Sequence, residues 1–118
     1  FNQLSVSRIL TSVEVKAEAS TNMSQYQSYS INNVVDGNSS TFFWSSEAQA
    51  AGDYILLTYP SAQPIYEISI TFTETDQLSG TAAIEVSADN NQWQTVTEFT
   101  KRICLKNTPK RPTKAECK

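Results

Sequence analysis

The chain has 118 residues, of which 39% are apolar, 10% aromatic and only 18% charged. This composition suits one domain with a modest core and a polar surface, and it excludes a disordered chain. No apolar run is long enough for a membrane-spanning helix, and the net charge of −3 hides a split between an acidic body and a basic tail.

Residues 1–100 carry two basic side chains, Arg8 and Lys16, against eleven acidic ones, whereas residues 101–118 carry seven basic and one acidic. An acidic body disfavours nucleic acid as a partner, because phosphate binding needs a basic surface. The chain opens at Phe1 with no initiator Met or signal peptide, which reads as a mature or excised segment. Cys104 and Cys117 could close one disulfide or be two free thiols. With no histidine and no Cys-x-x-Cys, zinc is not expected.

Residues 1–10 (FNQLSVSRIL) have no decisive period; Leu4, Ile9 and Leu10 could cap a core or belong to a linker or N-terminal extension. From Thr11 to Ser20, Val13, Val15, Ala17 and Ala19 alternate with Glu14, Lys16 and Glu18, a period of two that predicts a half-buried strand. Thr21 to Asn32 is a polar loop whose aromatic members are Tyr26 and Tyr29. Ile31 to Val35 returns to the core. In Phe42-Phe43-Trp44 neighbours must face opposite sides of an extended chain, so Phe42 and Trp44 share a face. Trp44 is expected in the core, leaving Phe43 for the other side. Further strands are predicted over 53–59, 64–73, 83–88 and 92–99, with Trp93 and Val96 as anchors of the last. Short strands between regular turn signals, with no helical period, indicate an all-β sandwich or barrel over residues 11–100.

Between Val35 and Phe42 the chain makes a turn at Asp36-Gly37, because Gly accepts positive φ and Asp hydrogen-bonds its own backbone. Oxygen-bearing side chains then fall at Asp36, Asn38, Ser39, Ser40 and Thr41. So many hard oxygen donors on one tight loop suit Ca²⁺, which takes six to eight oxygens. A plain Asx-turn joining two strands without metal is the other reading.

Three stretches in this order, VVDGNSSTFFWSS at 34–46, GDYILLTYPSAQPIYEISITF at 52–72 and IEVSADNNQWQTV at 84–96, resemble the discoidin, or coagulation factor 5/8 type C, superfamily. Within it they are most similar to bacterial family 32 carbohydrate-binding modules. The resemblance implies a jelly-roll-type antiparallel β-sandwich of the galactose-binding-domain-like kind. It also implies a structural Ca²⁺ held by the Asp36 carboxylate, the Asn38 carbonyl, the Thr41 carbonyl and hydroxyl, and the Asn33 backbone carbonyl. The family closes this site with a Glu near the end of the domain. Here residues 101–118 depart from the pattern: Arg102 to Lys106 could be a shortened last strand with Glu116 as that ligand, or the tail is a divergent or truncated end.

Modules of this family grip glycans with loops at one end of the sandwich. Stacking on the apolar face of a sugar needs aromatic rings, and hydroxyls need polar side chains. Tyr26, Tyr29 and Phe43 are the candidate rings; Glu47, Gln49 and Asp76, with Gln25, Gln27 and Asn32, are the candidate hydroxyl partners. The expected function is a non-catalytic carbohydrate-binding module for galactose- or N-acetylhexosamine-type glycans, carried by a secreted, periplasmic or cell-surface bacterial chain that also bears a glycoside hydrolase domain. The alternative is a structural, protein-contacting sandwich that binds no sugar. Membrane lipid is not expected, because the candidate loops lack Lys and Arg.

Overall fold

A computed structural model describes residues 3–38, 40–73, 81–99, 104–107 and 112–115. The domain is an antiparallel β-sandwich. One layer is a five-stranded sheet in the order β3-β1-β5-β8-β9, built from β1 (Gln3–Thr11), β3 (Phe43–Ala48), β5 (Glu67–Phe72), β8 (Cys104–Asn107) and β9 (Pro112–Ala115). Two strand pairs face it: β2 (Glu18–Thr21) with β4 (Ile55–Thr58), and β6 (Ala82–Val86) with β7 (Gln94–Phe99). A five-residue 3-10 turn, Ile31–Val35, precedes the Asp36-Gly37 bend.

The core collects inward positions from both layers. Leu4, Val6, Phe43 and Phe72 come from the large sheet, Ile84 and Phe99 from β6 and β7, and Val34 from the 3-10 turn. Ala19 of β2 and Ile55 of β4 pack against this cluster. In β5, Phe72 lies in the core and Ile68 and Ile70 pack against it, at every second position of the strand.

Strand β1 corrects the reading of residues 1–10 as a linker or extension: it lies between β3 and β5 in the large sheet. Its pairing shifts between Val6 and Arg8, where Val6 opposes Phe72 but Arg8 opposes Thr71. The extra residue resets the alternation, so Leu4 and Val6 face the core, and then Ile9. That break hides the strand from a period-two search. Buried Ser45 mends the ladder at the same strand's start, since its Oγ accepts from Leu4 N at 2.9 Å and donates to the Glu47 carbonyl at 2.9 Å.

Two further expectations shift. The alternating stretch from 11 to 20 is divided: Thr11 ends β1, and a second strand begins only at Glu18, where the chain meets β4; Val15 remains exposed. Trp93 is 45% exposed, and Phe99 takes the buried place in β7. The basic tail contributes β8, whose backbone pairs with β5 through Glu67↔Lys106, Ile68↔Leu105 and Ser69↔Cys104. The stretch read as a possible shortened strand overlaps the strand Cys104–Asn107, while Arg102 lies outside the described residues. Glu116 and Cys117 lie outside the described residues, and so does any pairing of the two cysteines.

Phe43 is fully buried at the centre of this core. Phe43→Ala should therefore cost about 3–5 kcal/mol in urea unfolding, whereas Trp93→Ala should change stability by about 0.5 kcal/mol or less, as for an exposed site.

Candidate binding face

The Asp36 loop is closed by its own hydrogen bonds. Asn38 N donates to Asp36 Oδ1 at 2.8 Å, and the Thr41 hydroxyl donates to Asp36 Oδ2 at 2.5 Å. Ser40 N donates to Asn38 Oδ1 at 2.9 Å. Gly37 sits at φ 73°, a conformation that a side chain would strain. The Thr41 hydroxyl holds the Asp36 carboxyl below its ordinary value of 3.8, and the Asn38 amide adds to this. The Lys16 charge contributes least.

Three oxygens converge here, since Thr41 Oγ1 lies 3.0 Å from the Asn38 carbonyl as well as 2.5 Å from Asp36 Oδ2. Such a facet matches one side of the oxygen cage that Ca²⁺ takes. It holds one carboxylate, and among the described residues no group of three or more His, Cys, Asp or Glu side chains gathers to hold a metal. Glu116, which the shortened-strand reading of the tail offers as the closing ligand, lies outside those residues. The Asn33 side chain is engaged elsewhere in the backbone: its Nδ2 donates to the Phe42 carbonyl at 2.9 Å.

The residue after Thr41 begins the second feature. Tyr29 N donates to the Tyr26 carbonyl at 3.1 Å, and Gln27 between them has φ 50°. This tight turn brings its two ends, Tyr26 and Tyr29, close together, so their rings stand alongside. They stack with centroids 6.2 Å apart and planes 7° apart. Tyr29 also stacks on Phe42 at 4.6 Å. Trp44 meets Tyr26 at 4.8 Å, tilted, and Tyr29 at 5.4 Å, edge-on. All four rings are half-buried.

Phe43 does not belong to this face. It is fully buried, so it cannot stack on a ligand. The expected pairing of Phe42 with Trp44 is correct, but the faces are inverted, with Phe43 and Ser45 inward and Phe42 and Trp44 outward. Alternation identifies partners on a face; it does not say which face meets the second layer. Glu47 shares Phe43's parity at the exposed end of β3, and Gln49 is half-buried beyond it. Asp76 lies outside the described residues. Beside the 3-10 turn, Lys16, Ala17, Glu18, Asn32, Val35 and Asp36 line a depression of about 440 Å³. Nothing in the residue pattern marked this depression, because it joins two segments distant in sequence.

Residues 16–118 match the family model of the F5/8 type C domain, and the chain belongs to that family. These are discoidin-type, non-catalytic binding domains that commonly bind carbohydrate or protein. No curated protein and no solved structure gives a significant match to the chain.

A carboxylate held below its ordinary value stabilises the fold above that value, and the contribution is lost as pH falls through the lowered one. Asp36 and Asp89, the latter bonded by Gln92 N, Asn91 N and the Ser87 hydroxyl, are both of this kind. Acid titration of the melting temperature should therefore show a loss below about pH 4 that is shallower in Asp36→Asn and in Asp89→Asn.

Proposed function

We propose that this domain is a carbohydrate-binding module that grips galactose- or N-acetylhexosamine-type glycans on the face formed by Tyr26, Tyr29, Phe42 and Trp44. The observation that carries this reading is the packed aromatic face itself. Four half-exposed rings, held in place by a turn and a strand, offer flat apolar area beside polar tips. Gln25 and Gln27 flank it: Gln27 Nε2 already donates to the Tyr26 hydroxyl at 3.2 Å, and Gln25 Nε2 to the Gln27 carbonyl. Such amides suit sugar hydroxyls, which both donate and accept.

We further propose that the loop from Asp36 to Thr41 binds Ca²⁺ through Asp36, Asn38 and Thr41, with the Asn33 carbonyl. The ion would tie the loop to the 3-10 turn and so brace the start of β3. Its role is structural. The module is proposed to act outside the cell on a bacterial chain that also carries a glycoside hydrolase domain, to which it would bring the substrate.

Protein contact is the second reading, and one observation favours it. Leu10 on β1 and Tyr66 just before β5 are 49% and 59% exposed, and Tyr66 is tied to the end of β1 by its N, which donates to Ser12 Oγ at 2.7 Å. The two readings predict different sensitive residues.

Glycan arrays followed by calorimetry should show millimolar to micromolar binding that falls about tenfold or more, or 1.4 kcal/mol and above, in Tyr26→Ala and stays unchanged in Tyr66→Ala. Silence of the intact domain on every galactose- and N-acetylhexosamine-terminated glycan would sink the reading. For the ion, melting in EDTA should fall by several degrees relative to excess Ca²⁺, because a ligand bound only to the folded state stabilises it; an unchanged melt would leave a plain turn.

A further inference from the structure

The loop that carries the two tyrosines is unusually tied down for a polar surface segment. At its entry, the Asn22 carboxamide is used at both ends: Nδ2 donates to the Gly52 carbonyl at 3.0 Å and Oδ1 accepts from Tyr54 N at 2.9 Å. Along its length it bonds to the outer edge of β3. Ser46 N donates to the Ser24 carbonyl, Tyr26 N to the Trp44 carbonyl, and Trp44 N to the Tyr29 carbonyl. Just past its exit, Asn33 Nδ2 spans nine residues to the Phe42 carbonyl at 2.9 Å, in partly buried surroundings.

We infer that Asn22 and Asn33 are positioning residues: their carboxamides hold the loop and the start of β3 so that the four rings form one face before any ligand arrives. Asn22 fixes where Tyr26 begins. Asn33 fixes the Phe42 backbone, and with it the ring that stacks on Tyr29. Neither side chain belongs to the aromatic face. This assigns Asn33 a side-chain task distinct from the backbone carbonyl proposed for the ion. The physical benefit is entropic: a face already ordered in the free protein does not lose loop freedom on binding. The inference rests on the glycan reading for its functional consequence, but not for its structural content.

The test compares Asn22→Ala and Asn33→Ala with Gln63→Ala, a carboxamide whose bond to Ser61 closes only its own loop. Near-UV circular dichroism reads the ring cluster, far-UV dichroism the sandwich, and calorimetry with lactose and N-acetyllactosamine reads binding. The expected result is a reduced near-UV band and about tenfold weaker binding with a less favourable entropy in both Asn variants, an unchanged far-UV spectrum, and wild-type behaviour in Gln63→Ala. Asn22→Asp, which keeps the acceptor for Tyr54 N, should fall between wild type and Asn22→Ala. An Asn33→Ala protein with the wild-type near-UV band and wild-type affinity would overturn the inference. If the variants do not fold, amide exchange in the wild type decides: the Tyr54 amide, whose partner is Asn22 Oδ1, should be protected like those of β1, and open-loop exchange at Tyr54 would overturn the proposal. Should neither sugar bind the wild type, the glycan reading fails for these probes, while the dichroism and exchange arms still decide the positioning role.

Discussion

Strand β3 lies at the end of the large sheet, and its outer edge would leave backbone donors and acceptors without partners. The tyrosine loop supplies them. Its residues from Ser24 to Tyr29 pair with Trp44 and Ser46 almost as another strand would, and Gln25 and Ser45 form a bridge. Protection of the edge and assembly of the binding face are thus one event. Bonds that satisfy the β3 backbone also carry two tyrosines over the outward rings of the same strand.

The same strand links the face to the core. Phe43 is buried among residues of both layers while Phe42 and Trp44 lie on the opposite side. A ring on the face therefore cannot shift along the strand without moving the side chain that fills the core. The Asp36 loop ends one residue before Phe42, and its hydrogen bonds set how the chain enters β3. Loop, strand and rings form a continuous structure, and the 3-10 turn before the loop also lends Asn32 and Val35 to the depression around Lys16 and Asp36.

Some of this was legible in the residues. The Asp36-Gly37 bend, the alternation of β5 and the β6–β7 pair follow from local chemistry: a glycine that accepts positive φ, and side chains that point to alternate faces of a strand. The tyrosines stood out as aromatic residues on a polar loop. Other parts were hidden for identifiable reasons. The bulge after Val6 broke the period of β1, so the strand between β3 and β5 looked like a linker. Asn22 fell unmarked within a polar loop and Asn33 was marked only for its backbone carbonyl, because the partners of their side chains lie 30 and nine residues away.

The amino-acid sequence by itself determined the all-β class, the position of the oxygen-rich turn and the pairing of Phe42 with Trp44 on one face. These depend on properties of neighbouring residues, which the order of the chain states directly. Only the tertiary structure decided which of the two faces of β3 is buried, and that the tyrosine loop folds against its edge. A strand's two sides are equivalent until a second layer covers one of them, and that layer is built from residues far along the chain.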